Sequence, residues 1–145
     1  MSCSETPIPS VVLDSNVVLD LWLFNEPSVQ PLRQALDQGR LHWIGTEAML
    51  AELAWVLARP FALARQPQAG LLLDGWHTRV RLLPVAPDCG LRCRDPEDQK
   101  FIDLAIAAGA RWLLSKDRAL LDLRRRAARQ GLAVLTPAAW TTPTS

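Results

Sequence analysis

Five short apolar runs, each separated from the next by a helical stretch, restrict this chain more than any single residue does. The runs are "SVVLD" (10–14), "RLHWI" (40–44), "RVRLLPV" (79–85), "RWLLS" (111–115) and "LAVLT" (132–136). Most are continuously apolar rather than alternating, as strands buried on both faces must be. Helical patterning fills roughly 16–23, 29–38, 46–58, 67–77, 96–109 and 117–129. Such alternation predicts βαβ units, and hence an α/β fold with a parallel sheet covered on both faces. A chain of 145 residues suits one domain with its own core. The expected bounds are a domain over 10–140, an N-terminal tail over 1–9 and a C-terminal tail over 141–145.

Local signals fix some boundaries. In "RDPEDQKF" Asp95 can cap a helix that opens with Pro96 and carries Glu97 and Asp98 in its first turn. Gly109 and Gly131 are placed to end helices. The stretch 59–70 is broken by two prolines into short pieces.

Composition mainly excludes. Apolar residues at 49% and charged residues at 21% mark a globular chain rather than a disordered one. A net charge of +1 means that any basic footprint must be local. The amino terminus "MSCSETPIPS" lacks the apolar stretch of a signal peptide, and no run is long enough to span a membrane. The expectation is a cytoplasmic protein. Cys3, Cys89 and Cys93 form no disulfide framework, and Cys89-x-x-x-Cys93 has neither a second pair nor a nearby histidine to complete a zinc site.

Four acids are harder to account for. Asp14 interrupts "VVLDSNVVLD" at a strand end, where an unpaired carboxylate would be costly. Asp117 follows "RWLLS". Asp98 shares a helix face with Phe101, Ile102 and Ala105, at 100° per residue. Glu52 stands in the middle of "TEAMLAELAWVLA", a helix apolar almost all round that reads as buried. Singly, each has a plain structural role: Asp14, Asp98 and Asp117 as caps, Glu52 as a partner of Arg59. Together they point to one edge of the sheet, with Lys116 the only cation among them. Two carboxylates ~4 Å apart repel by about 4 kcal/mol at an effective dielectric near 20. A hard divalent ion with oxygen ligands, Mg²⁺ or Mn²⁺, resolves that conflict.

The same residues carry a resemblance. "VVLDSNVVL" (11–19), "AELAWVLARPF" (51–61), "DPEDQKFIDLAIAAGARWLLSKDRALL" (95–121) and "LAVLTPAAW" (132–140) are similar to PIN-domain ribonucleases, in order and spacing. The likeness is to the small bacterial members that form the toxin half of toxin–antitoxin pairs. It implies a three-layer α/β/α sandwich with a central, mostly parallel five-stranded sheet, and a metal-dependent endoribonuclease using Mg²⁺ or Mn²⁺. It also implies an RNA substrate, a homodimer and a cognate antitoxin protein. On this resemblance Asp14, Glu52, Asp98 and Asp117 fall on the acidic metal positions. Asn16 matches the polar residue after the first acid, and Ser115 the hydroxyl before the last. Lys116 stands where the family commonly has glycine, next to the site and able to reach a phosphate or to compete with metal.

The expected chemistry is hydrolysis of a phosphodiester with a divalent ion neutralising the phosphoryl oxygens. His42 and His77 lie away from the expected site, which disfavours a histidine mechanism. Arg118, Arg125, Arg126 and Arg129 share one side of a helix over 118–130, as a solvated face or a phosphate-contacting stripe, while Arg124 falls on its apolar side. Trp76 reads as core, with base stacking the alternative. A haloacid-dehalogenase-like phosphatase would need an acid where Asn16 stands, and a phosphorelay receiver would need paired acids after the first strand. The remaining alternative is a non-catalytic PIN-like module that binds RNA or protein through a weak metal site.

Overall fold

The computed structural model describes residues 8–142; the expected tail residues 1–7 and 143–145 lie outside the described part. Its centre is a sheet of five parallel strands in the order β3-β2-β1-β4-β5. These are β1 (Ser10–Leu13), β2 (His42–Gly45), β3 (Arg81–Leu82), β4 (Trp112–Leu114) and β5 (Ala133–Leu135). Helices precede and follow them in the three-layer α/β/α arrangement. Neighbouring residues of a strand point to opposite faces. Val11 and Val12, and likewise Leu113 and Leu114, are all fully buried, so both faces of the sheet are covered.

The helices are α1 (Ser15–Trp22), α2 (Gln30–Asp37), α3 (Glu47–Leu57), α4 (Pro60–Arg65) and α5 (Leu72–Arg79). After β3 come α6 (Gln99–Ala107), α7 (Arg118–Leu121) and α8 (Arg124–Ala128). Pro60 opens α4 at a position where a missing N–H costs nothing, so the proline-broken stretch is still partly helical. Trp22 packs on Trp43 with ring centroids 5.2 Å apart, and Trp112 meets Trp140 edge-on at 5.6 Å.

Three expected elements differ in detail. The strand expected over 79–85 shrinks to Arg81–Leu82, because α5 runs on to Arg79 and Pro84 cannot donate to a ladder. The helix expected over 117–129 breaks at Asp122 and Leu123 into α7 and α8. The break lets Leu120 and Leu123 both enter the core while Asp122 pairs with Arg94 at 3.0 Å. Arg124, expected on the apolar side, is exposed and donates to the Leu121 carbonyl at 3.1 Å. Finally, α3 is not wholly buried: Met49, Leu53 and Leu57 enter the core, whereas Ala48, Ala51 and Trp55 face outward. Trp76 is core, as its sequence setting suggested.

Residues 83–95 join β3 to the turn before α6 and are pinned by two polar side chains of that helix. Gln99 accepts from the Cys93 N–H (2.8 Å) and donates to the Leu91 carbonyl (2.7 Å), and Asp103 accepts from the Cys89 N–H (3.1 Å). These bonds satisfy backbone groups that no sheet ladder takes.

Tight packing at the end of β2 can be tested directly. A Cβ on Gly45 would lie 2.8 Å from Trp76 Cζ2 and 3.0 Å from Val80 Cγ1. Gly45→Ala is expected to cost about 1–3 kcal/mol in urea unfolding. Wild-type stability in that variant would mean that Trp76 can shift without loss.

Candidate metal centre

The strand order reverses direction between β1 and β4, and in open parallel sheets the crevice at such a switch point is where ligands bind. Asp14 follows β1 and Ser115 follows β4, so both stand at that crevice. Asp14 is 3% exposed. One carboxylate oxygen caps α1, accepting from the Val17 N–H at 2.9 Å, and the other accepts from the Ser115 hydroxyl. Burial pushes its pKa from 3.8 up to about 6, against the two hydrogen bonds and with added repulsion from Asp117 and Glu52.

Ser115 is fully buried and works in both directions, donating to Asp14 and accepting from the Asp117 N–H at 2.9 Å. The loop after β4 is thereby tied to the loop after β1. Asp117 caps α7, accepting from the Ala119 N–H at 2.8 Å. The capping roles available to Asp14 and Asp117 are therefore real, and each acid still faces the crevice charges.

Asp98 lies at the end of the 3₁₀ turn Pro96–Asp98, in the cap position of α6 but without a capping bond. Its Oδ2 is buried with no hydrogen-bond partner. Burial first, then contact with Asp117 and the charges of Asp117, Asp95 and Asp14, drives its pKa up to about 8. Asp117 moves the opposite way, lowered by its contact with Asp98, by the Ala119 N–H and by the nearby Arg94.

Asp95 joins this pair. One carboxylate oxygen from each of Asp95, Asp98 and Asp117 falls within 4.8 Å of the others. Nothing in the sequence singled out Asp95 beyond its cap role, which it also fills by accepting from the Glu97 N–H at 3.0 Å. The signal available was the D-P-E-D spacing, in which a tight turn brings the first and last acids to one side.

Glu52 is half-buried and already partnered: Ser15 donates to one oxygen and Lys100 Nζ sits 2.6 Å from the other. Arg59, the partner offered by the purely structural alternative, stacks on Trp55 instead. Lys100 thus corrects the reading of Lys116 as the only nearby cation. Lys116 itself reaches back to the buried carboxylate of Asp20 at 2.6 Å. Asn16 is exposed in the first turn of α1, beside Asp14.

The donors fit a hard divalent cation. They are all carboxylate oxygens, and the orphaned Asp98 Oδ2 is a buried acceptor to which no described donor is bonded, as a cation ligand awaiting its ion would be.

A parallel α/β/α sandwich whose carboxylates gather at the β1–β4 switch point defines the class. The family model described as "PIN domain" matches residues 10–119, and the chain belongs to the PIN-domain family. Among solved structures it resembles a chain of VapBC2 from Rickettsia felis bound to a DNA fragment from their promoter. That match has a TM-score of 0.58 and 17% identity, and covers 86% of this chain and 96% of that one. No curated protein sequence matches. Among the described residues, no helix is long and apolar enough to cross a membrane.

The raised carboxyls set a pH dependence. The fold favours protonated Asp14, so its contribution is complete below pH 3.8 and is lost as pH rises through about 6. For this buried group the difference is about 3 kcal/mol, and Asp98 acts in the same direction. Melting in EDTA should show Tm falling from about pH 4 to pH 8, with Mg²⁺ or Mn²⁺ restoring it at the upper end. A Tm at pH 8 indifferent to both ions would count against the cluster as a cation site.

Proposed function

We propose that this protein is a divalent-metal-dependent endoribonuclease that hydrolyses RNA phosphodiester bonds at the β1–β4 crevice. The observation that carries the reading is the trio Asp95, Asp98 and Asp117, with oxygens within 4.8 Å, beside the buried Asp14. Asp98 and Asp117 would hold Mg²⁺ or Mn²⁺, joined by Asp95, with Asp14 and Glu52 completing the acidic set. When bound, the ion supplies neutralisation of the phosphoryl charge and acidification of an attacking water.

The chain's own residues do the positioning. Ser115 holds Asp14 and Asp117 in register through one hydroxyl, as a supporting residue behind metal ligands does. Asp14, by capping α1, is fixed in rotamer before any ligand arrives. Ser15 and Lys100 orient Glu52 toward the crevice mouth. Asn16, exposed next to Asp14, is available to a phosphate oxygen. Lys116 is drawn off toward Asp20, which keeps its charge from occupying the cation's place.

In this reading the protein is the toxin component of a toxin–antitoxin pair, cytoplasmic, homodimeric and restrained by a cognate antitoxin. The support is the family membership and the motif resemblance. One observation favours a second reading, a non-catalytic RNA- or protein-binding module: Glu52 is already neutralised by Lys100.

Asp14→Asn separates the two. Asparagine keeps the oxygen that caps α1 and its amide can still face Ser115, so the variant should fold with a Tm near wild type. Cleavage of single-stranded RNA in Mg²⁺ or Mn²⁺ should disappear in the variant, and in wild type treated with EDTA. Wild-type cleavage by Asp14→Asn would remove the acid centre from the mechanism. RNA binding with no metal-dependent cleavage by wild type would select the second reading.

A further inference from the structure

The outward side of α3 faces the Pro96–Asp98 turn and Lys100 across an open groove of about 790 Å³. The lining includes Ala51, Glu52, Trp55, Pro96, Glu97 and Lys100. Its inner end is Glu52, whose charge is felt by Asp14. One wall is the same turn that delivers Asp95 and Asp98 to the acid cluster. The groove and the proposed cation site therefore lie on either side of that turn.

Its outer end is Trp55, left 62% exposed although five other tryptophans are available to the chain and Trp76 is only 3% exposed. Arg59, one turn further on, holds its guanidinium 4.3 Å from the Trp55 ring centroid. Arg59 takes part in none of the ion pairs found among the described residues. A guanidinium covers one face of an indole and leaves the other to solvent. A π-face next to a cation that has no carboxylate partner is complementary to a nucleotide, with its flat base and its phosphate. A base still paired within a duplex has no free face to offer, whereas an unpaired one does. Lys100 is spent on Glu52, which leaves Arg59, beside Trp55 at the groove's outer end, as the cation nearest to hand for a phosphate.

We infer that this groove seats an unpaired nucleotide flanking the phosphate to be cut, its base stacked on Trp55 and its phosphate against Arg59. The inference rests on the nuclease reading for its orientation toward the acids, but not for the binding itself.

The test uses a cleavage-silent Asp98→Asn background and a fluorescein-labelled single-stranded RNA of about ten nucleotides, followed by anisotropy. Adding Trp55→Ala should weaken binding roughly 5- to 150-fold, the range for loss of one base–aromatic stack. Trp55→Phe, which keeps a ring, should recover most of it. An abasic scan of the RNA should find one position with the same loss, and no further loss there once Trp55 is alanine. Unchanged affinity in Trp55→Ala would overturn the inference. So would a change in that variant's oligomeric mass by light scattering, which would make the face a protein interface. If wild type never cleaves this RNA but the Trp55-dependent stack persists, the nuclease reading falls and the nucleotide seat stands.

Discussion

The buried carboxylate of Asp14 is the constraint on which the rest of the crevice depends. A charge with 3% exposure survives in a folded chain only if each oxygen finds a donor. One donor is the Val17 N–H in the first turn of α1, and the other is the Ser115 hydroxyl at the end of β4. Meeting that need ties two strand ends that are far apart in sequence. Because Ser115 also accepts from the Asp117 N–H, the same contact sets where the last acid stands. The need for donors around one carboxylate thus arranges the others.

Charge balance around the crevice follows a consistent pattern. Cations are present nearby, yet most are held by partners outside the acid trio: Lys116 by Asp20, Arg94 by Asp122, Lys100 by Glu52. Asp95, Asp98 and Asp117 are left to one another, and Asp98 carries the orphaned oxygen. Mutual repulsion there is what a bound divalent ion would relieve. The proposed function follows from that fit, with the groove beside α3 as the proposed contact for the nucleic acid strand.

Much of the architecture was legible in the residues. Continuous apolar runs at 10–14 and 111–115 can only be strands covered on both sides, which requires helices above and below and parallel connections. Asp95-Pro96 marked the turn before α6, and Gly109 and Gly131 sit at positive φ where α6 and α8 give out. Less legible was the extent of β3 and the break between α7 and α8. Both depend on what lies opposite: an unpaired sheet edge in one case, and room for Leu123 with a partner for Asp122 in the other. The apolar composition of α3 was misleading for a similar reason. Periodicity cannot separate a helix buried all round from one that keeps an apolar side open.

The sequence by itself determined the strand–helix alternation, the placing of Asp14 and Asp117 at strand ends, and the inward aim of Asp98, since all follow from local period and capping chemistry. Tertiary structure alone decided which acids meet. Glu52 was claimed by Lys100 because side chains 48 positions apart become neighbours only after the sheet assembles, and the Asp95–Asp98 turn met Asp117 only once β4 was in place. It also decided that Trp55, on a helix that read as buried, is surface. Burial is a property of what packs against a residue, and that is not written in the residue's own neighbourhood.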